Sequence, residues 1–487
     1  MPNQLHLNHE VRGNVSQSSP EFLRKCQSVK PDPRSVRSCN GILSDLRSMS
    51  QDFRIAVAVA AWATLIWMSR IFVLLFDFSK FSYVVYASIG ICLAMHLLRR
   101  VIKPSYAGSG FLGGNWIWLF MGIFVIAGIH GAMSSAEIPP WLAPPEADYR
   151  QSWVYFRTFI LPGILLLLLS SLIAAVYAEG YTVPSVNTAI VALLLCIDLA
   201  VIGMAVVSGQ SLSGLALADR NEHLTASGFH SNTLAAMLTT GYALLLGMWQ
   251  GTEIRKAHSM LWVMIALTFL ATILTFSRGA LLPLVICTGI FALRGSIKIK
   301  IIQGIVLLVV LFVFQDALIQ RLSYGTGAVG NDISAGRIER IWLPLLPDMF
   351  NHIVLGNGIQ SIMWSEAQQY MKIFPVGQAH NAYLDLMLDV GIIGTLFVLA
   401  FYVYLWRGFK LLSKIDPEPK YRGLCYGGQL ALISMALTGL TNERLTPTSS
   451  QALFWIVAGV MLGRIHWLKK RNAKSGHAAV SGMRSRT

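Results

Sequence analysis

Long apolar segments constrain the fold of this chain more than any other feature. A helix that crosses a bilayer needs about 20 consecutive, mostly apolar residues, and about twelve segments meet that requirement. Only 13% of the residues are charged and the mean hydropathy is +0.56, whereas soluble globular domains carry about 25% charged residues. The sequence therefore predicts an all-α polytopic membrane protein. The predicted spans are roughly 54–76, 82–98, 115–133, 155–177, 184–208, 229–249, 259–276, 279–294, 299–317, 386–407, 424–441 and 451–468.

The connections between these spans alternate in charge. Lys and Arg are concentrated at 97–104, 252–258, 293–300 and 406–422, and again after Arg464. Cytoplasmic loops retain cations, so these connections and both chain termini are predicted to face the cytoplasm, and the other connections to face outwards. The formal net charge of +15 is explained by this topology and by contacts with anionic membrane lipids. Nucleic acid is not an expected partner.

One membrane domain is predicted between two polar tails. Residues 1–53 are rich in Ser, Asn and Arg, which is typical of a disordered cytoplasmic tail, and 469–487 form a short basic cytoplasmic tail. The membrane domain, 54–468, contains one long extracytoplasmic segment at 318–385, and loops of that length usually have a function. The six cysteines suit neither a zinc site nor a disulfide framework. No cofactor is expected.

Two local patterns refine this outline. Apolar residues recur at helical spacing within 337–350, which predicts a short amphipathic helix at the membrane surface. They are Ile338, Ile341, Trp342 and Leu345. The two spans within 259–294 are split only by the sequence SRG at 277–279, so they are predicted to form a tight hairpin.

Three cationic or titratable residues lie at the predicted outer ends of spans. Arg220 precedes the sixth span, Arg278 separates the seventh from the eighth, and His380 begins the tenth. Each has a structural alternative: Arg278 can snorkel to lipid phosphates, Arg220 can be a solvated surface charge, and His380 can cap its helix. Snorkelling is less natural on the outer side, because cations are retained mainly on the inner side.

The helix that follows His380 has a polar face. Asn381, Asp385 and Asp389 recur at i, i+4 spacing, which places them on one side of a helix. The helix dipole favours an acid such as Asp385 near the N-terminus. Asp389 lies about two turns in and must face the bundle interior or a wet cavity. The pattern indicates a lined cleft.

Arginine and histidine together indicate a reaction class. Two arginines can hold a diphosphate bidentately and stabilise it as a leaving group. A histidine titrates near neutral pH and can take a proton from an attacking hydroxyl. No cluster of Asp, Glu and His with clear metal-ligand spacing appears on the predicted outer side. Two arginines and one histidine are the minimum set of side chains for metal-independent transfer from a lipid diphosphate.

Short motifs in the same part of the chain carry a family resemblance. They are RNEHLTASGFHSN (220–232), SRGAL (277–281), GRIERIW (336–342), LGNG (355–358) and HNAYL (380–384), the last followed by Gly391 and Gly394. Each motif is weak alone. In their order, spacing and outward topology they resemble the O-antigen ligase and polymerase superfamily of bacterial inner-membrane glycosyltransferases. The resemblance covers about residues 54–468 and is strongest between 220 and 394.

The resemblance implies a twelve-helix membrane fold with a large periplasmic loop between the ninth and tenth helices. It also implies transfer of a glycan from undecaprenyl diphosphate to an acceptor hydroxyl, with inversion and without a metal, at the periplasmic face. His380 is implied as the general base that activates the acceptor, and Arg220 and Arg278 as the diphosphate-binding pair. Arg337 and Asn381 are secondary candidates from the motifs.

The acceptor separates the members of this superfamily. A ligase moves O-antigen onto lipid A–core in lipopolysaccharide biosynthesis, whereas a polymerase joins repeat units or builds an exopolysaccharide. We favour the ligase and keep the polymerase as the alternative. A polytopic transporter or flippase is the competing class, although such folds usually contain internal repeats and helices broken near the midplane. Buried charges clustered at the midplane would favour a carrier, and charges in an outer cleft would favour the transferase.

Overall fold

The architecture was obtained as a computed structural model. Within the residues it describes, every regular element is helical and no strand is present. From Phe53 onwards these residues belong to one compact unit. The described residues are 51–67, 81–102, 115–142, 148–183, 186–211, 214–215, 224, 231–295, 297, 301, 304–305, 308, 312–316, 336–373, 376–441 and 444–484.

The observed helices coincide with the predicted apolar segments, but two of them continue well beyond the predicted ends at 407 and 468, to Ile415 and Arg484. A helical stretch covers 51–67. The long helices after it are α1 (Phe81–Ile102), α2 (Asn115–Ser134), α3 (Leu161–Ala178), α4 (Val186–Val207), α5 (Ser231–Gln250), α6 (Arg255–Leu274), α7 (Arg278–Arg294), α8 (Ala382–Ile415), α9 (Pro419–Gly439) and α10 (Ala452–Arg484).

Among the described residues, seven helices are long and apolar enough to cross a membrane. About half of the predicted ninth span, 299–317, lies outside the described residues. The all-helical membrane fold is therefore confirmed, whereas the count of twelve spans stays a prediction.

The centre of the bundle is the contact between α5 and α9. Every residue of α5 from Leu234 to Met248 is buried, so this helix faces protein rather than lipid on all sides. Glycines of α5 and the turn after it, Gly247 and Gly251, lie against Gly423 and Gly427 of α9, where an added Cβ would overlap the neighbouring backbone. Small residues four apart on both partners allow this close approach.

The predicted hairpin is present between α6 and α7, with a shifted boundary. Helix α6 ends at Leu274 and α7 begins at Arg278, so Arg278 and Gly279 are helical and only Ser277 of the SRG sequence lies in the turn. A Cβ on Gly279 would overlap the side chain of Thr441. The glycine therefore lets the start of α7 pack against the segment that follows α9.

Helix α8 is broken at Gly391, where the sequence predicted a continuous span from 386 to 407. Gly391 has φ 62° and ψ −171°, a conformation that residues with a Cβ adopt only under strain. The segment 352–358 crosses the break and satisfies the freed backbone groups. Asn357 and Gly358 donate to the carbonyls of residues 388 and 389 at 2.8 and 3.0 Å. In return, the amide of residue 392 donates to the carbonyl of residue 353 at 2.7 Å.

The part of the long predicted loop that is described, 336–373 and 376–381, is folded. The expected helix is present as a π-helical turn, Ile338–Trp342, followed by an α-helix, Leu343–Asn351. Ile341 and Leu345 are buried, while Ile338 is 44% exposed. The apolar face thus packs partly against the protein, and its position relative to a membrane surface stays a prediction.

Contacts between helix ends sort the connections into two groups. At one end, Arg99 pairs with Glu179 at 2.6 Å, and Gly180 lies against Trp467 in the middle of α10. We call this the basic end. At the other end, Gly358 lies against Gly131 of α2, beside the folded loop 336–373, and we call this the loop end. The cation-rich connections meet at the basic end, as the charge pattern predicted, and their cytoplasmic orientation stays a prediction.

Candidate active site

His380 lies at the loop end in a short segment that is fixed on both sides. The preceding residue, Ala379, accepts a hydrogen bond from Trp342 Nε1 at 2.8 Å and donates its amide to Asp385 Oδ1 at 2.9 Å. His380 itself has φ 55°, in the left-handed region where histidine is enriched among non-glycine residues. The backbone that carries the imidazole is therefore set by neighbouring elements.

Asn381 is the N-cap of α8. Its side-chain oxygen accepts from the amides of Tyr383 and Leu384 at 3.0 and 3.2 Å, which is the usual arrangement for a capping asparagine. This geometry accounts for Asn381 structurally. A direct part in chemistry stays a prediction for this residue.

Arg278 and Arg337 lie close to each other at the loop end. Arg337 Nη1 donates to the carbonyl of Thr441 at 2.5 Å, and the α7 turn that begins with Arg278 packs against the same Thr441 through Gly279. Burial lowers the pKa of the Arg337 guanidinium, and the positive charge of Arg278 lowers it further. Two like charges held together in this way destabilise each other, and an anion bound between them would relieve the repulsion.

The end of α9 connects the arginines to the histidine segment. Tyr383 Oη donates to the carbonyl of Ala436 at 3.0 Å, and a Cβ on Gly439 would lie 3.3 Å from Ala382 Cβ. Thr441, which Arg337 contacts, follows two residues later. The structure thus brings His380, Arg278 and Arg337 to the same end of the bundle around one helix terminus.

Arg220 lies outside the described residues. The start of α5, to which its motif leads, is tied to the α6–α7 turn because Ser277 Oγ donates to Asn232 Oδ1 at 2.7 Å. The motif that contains Arg220 therefore ends beside the turn that precedes Arg278. The position of Arg220 itself stays a prediction.

The sequence analysis did not predict a role for Arg444, whose side chain is largely buried. Arg444 Nη1 lies 3.6 Å from Asp389 Oδ2, and its Nη2 donates to Gln360 Oε1 at 2.6 Å. Asp389 faces the interior, as its place on α8 predicted, and its Oδ1 accepts from the amide and hydroxyl of Ser361 at 3.0 and 3.1 Å. The sequence contained one signal that could have identified Arg444. It is a cation in an outer connection that is otherwise poor in cations, and the sequence analysis had assigned no partner to the inward-facing Asp389.

Arg444 lines a cavity of about 260 Å³ at the loop end. The other walls are mainly amides, hydroxyls and aromatic rings. Gln378, one of the lining residues, places its Nε2 at 3.4 Å from His380 Nδ1. The wall residues include Trp67, Phe159, Gln360, Thr446, Thr448 and Ser450. A polar cavity therefore lies next to the candidate base.

Among the described residues, no group of three or more His, Cys, Asp or Glu could hold a metal ion. The described acids at this site are instead used within the protein, since Asp385 anchors Ala379 and Asp389 faces Arg444. A metal-independent reaction stays a prediction.

These features define an all-helical membrane protein with a cationic and polar site at one end of its bundle. The family model described as O-antigen ligase matches residues 263–399, a segment that contains Arg278, Arg337, His380 and Asn381. The match confirms the predicted resemblance to the O-antigen ligase superfamily, whose members are glycosyltransferase-like enzymes. No curated protein matches the chain.

Proposed function

We propose that the chain transfers a glycan from undecaprenyl diphosphate to an acceptor hydroxyl, with lipid A–core as the acceptor. The observation that carries this proposal is that Arg337 and the first turn of α7, which begins with Arg278, both contact Thr441, at the same end of the bundle as His380. Guanidinium groups suit phosphate oxygens. A histidine on a fixed backbone at the same end of the bundle suits proton transfer.

In the proposed reaction, His380 removes the proton from the acceptor hydroxyl as its oxygen attacks the anomeric carbon of the donor sugar. The bond between that carbon and the diphosphate oxygen breaks, and undecaprenyl diphosphate leaves with the bonding electrons. Attack opposite to the leaving group inverts the anomeric configuration. Arg220 and Arg278 stabilise the negative charge of the leaving diphosphate, and Arg337 adds a third cation.

The site is proposed to lie at the periplasmic face of the bacterial inner membrane. The cation-rich connections meet at the opposite end, and cytoplasmic loops retain cations. A donor with a polyprenyl tail presents its diphosphate at headgroup level, which is where a helix terminus such as the start of α8 would be found. The domain limits 54–468 and the two cytoplasmic tails belong to the same proposal.

The positions of the buried charges weigh against a carrier. Asp385, Asp389 and Arg444 lie at the loop end, and Arg464 and Asp416 lie at the basic end. Asp198, in the middle of α4, accepts a hydrogen bond from Thr268 Oγ1 at 2.6 Å. These pairs do not form the cluster at the midplane that a coupled transporter would be expected to use.

The test is glycan transfer in a strain that lacks its own ligase, with lipopolysaccharide resolved on a gel. Wild type should produce a long-chain ladder, and His380→Ala at matched expression should lose it. His352→Ala is the matched control, because His352 is exposed in the same loop and should leave the ladder intact.

A ladder retained by His380→Ala would remove His380 from the mechanism. No ladder from well-expressed wild type would contradict ligation and favour the polymerase. In that case the length of glycan on the lipid-linked donor should increase with wild type and not with His380→Ala.

A further inference from the structure

A second cavity lies at the basic end, away from the candidate active site. It has a volume of about 390 Å³ and is lined by parts of four helices: the end of α5, the end of α7, the last third of α8 and the start of α9. Four cationic side chains line it: Arg294, Lys410, Lys414 and Arg422. None of its lining residues is acidic.

Three acids lie close to this cavity along the chain: Glu253, which is exposed two residues after Gly251 and does not line the cavity, and Asp416 and Glu418, which are paired elsewhere. Asp416 accepts from Arg464 at 2.9 and 2.6 Å, and Glu418 lies 2.9 Å from Lys420 and 3.1 Å from Arg464. Within the part of the chain that the structure describes, no ion pair involves any of the four lining cations. The cavity therefore concentrates positive charge without a carboxylate to neutralise it.

Helix dipoles and membrane topology explain part of this arrangement. A cation in the last turn of a helix is favoured, which covers Arg294 in α7 and Lys414 in α8. Neither effect requires side chains from three helices to line one cavity. Two of the four lining cations are held in place by protein contacts. Arg294 lies over the Tyr426 ring at 4.6 Å, and Arg422 donates to the carbonyl of Asp416 at 2.9 Å.

The surroundings of the cavity are those of a membrane boundary. Leu293, next to Arg294, is 77% exposed, and Val403 and Leu411 on α8 are each 48% exposed. Trp406 and Tyr426 also line the cavity, and such aromatic residues concentrate at the level of lipid headgroups. A ligand here would meet cations at one side and lipid-facing apolar residues at the other.

We propose that this cavity binds the phosphate-bearing headgroup of an anionic phospholipid of the cytoplasmic leaflet. Lys410, Lys414, Arg294 and Arg422 contact the phosphate oxygens, and the acyl chains lie along the exposed apolar residues of α7 and α8. Basic pockets between membrane helices recognise anionic headgroups by this chemistry. The proposal is independent of the transferase reaction, because no residue of the candidate active site lines the cavity.

The test is lipid binding to the full chain, purified in a non-ionic detergent and measured by native mass spectrometry. The probes are phosphatidylglycerol, cardiolipin, phosphatidylcholine and inorganic phosphate. The changed variant is Lys410→Gln/Lys414→Gln, and the matched control is Lys469→Gln/Lys470→Gln, which removes two exposed cations from α10 at the same end. Each cation that contacts the anionic headgroup should contribute a factor of about five to lipid binding, so the cavity variant should bind about thirty-fold more weakly.

The control variant should bind anionic lipid within about two-fold of wild type, and phosphatidylcholine should bind weakly to all three proteins. Equal losses in both variants, or no loss in the cavity variant, would overturn the proposal. Inorganic phosphate that binds as tightly as the lipids would show a free-anion site and also overturn it. If the double variant does not fold, Lys414→Gln alone should bind about five-fold more weakly.

Discussion

The buried pair between Arg444 and Asp389 gives the sharpest stability prediction. The two side chains are 10% and 4% exposed, and their charged atoms are 3.6 Å apart. Replacing Arg444 by Met keeps much of the apolar volume but leaves Asp389 buried without its cation. Breaking a buried pair in this way costs about 3–5 kcal/mol. We expect the lower end, about 3 kcal/mol, because Ser361 still donates two hydrogen bonds to Asp389.

A second substitution separates the charge from the packing. Asp389→Asn keeps an oxygen that can accept from Ser361 and removes the uncompensated charge. In the background of Arg444→Met it should therefore restore about 2 kcal/mol of the loss. Asp389→Asn alone removes the carboxylate that faces Arg444 and should destabilise the protein, so the coupling energy of the cycle should be at least about 2 kcal/mol. This exceeds the average of about 0.6 kcal/mol for interhelical hydrogen bonds in membranes.

The assay is equilibrium unfolding in mixed detergent and dodecyl sulfate micelles, followed by far-ultraviolet circular dichroism across the four members of the cycle. The chain offers a matched control in Arg150 and Asp148, an exposed pair with bonds of 2.8 and 3.1 Å. The Arg150→Met/Asp148→Asn cycle should show no resolvable coupling, because solvent screens exposed pairs. A coupling between Arg444 and Asp389 as small as that of the control would refute the reasoning.

Three further changes test the site and the helix break. Gly391→Ala should cost at least about 2 kcal/mol in the same unfolding assay, because an added Cβ would be strained at positive φ and would meet the backbone of the crossing segment. Gly289→Ala, in a helix interior with open space around it, should be neutral or slightly stabilising, and equal losses in both variants would argue against the break. Asn381→Ala should lower the stability by about 1 kcal/mol, and Asn381→Ser by much less, because serine can also cap a helix. Loss of glycan transfer by a stable Asn381→Ser variant would contradict a purely capping role. Arg278→Gln should lower kcat/KM for the diphosphate donor by about 100-fold. Arg255→Gln, at an exposed position at the start of α6, should leave kcat/KM unchanged, and unchanged kinetics for Arg278→Gln would exclude Arg278 from donor binding.

The sequence was most informative where one physical requirement determines the structure. Apolar length predicted the helices, and charge alternation predicted which connections meet at the basic end. The hairpin between α6 and α7 followed from the shortness of its polar sequence, although Arg278 proved to open the helix rather than occupy the turn. These predictions hold because crossing a bilayer leaves few alternatives for an apolar segment.

Long-range partners were harder to predict. The break at Gly391 depends on the segment 352–358, whose backbone replaces the missing helical hydrogen bonds, and no local pattern shows which segment will cross a helix. Arg444 likewise lies 55 positions from Asp389 in the sequence. Asn381 shows the reverse case, since a residue that the family motifs made a candidate has a local structural role as the cap of α8.

The most direct test of the central claim is glycan transfer by the purified chain with a defined undecaprenyl-diphosphate-linked glycan and lipid A–core, scored by mass spectrometry of released undecaprenyl diphosphate and of the glycosylated acceptor. Wild type and His352→Ala should release both products in equal amounts, and His380→Ala should release neither above background while binding the donor as wild type does. Product formation by His380→Ala at the wild-type rate would contradict the assignment of the base and, with it, the account of the site.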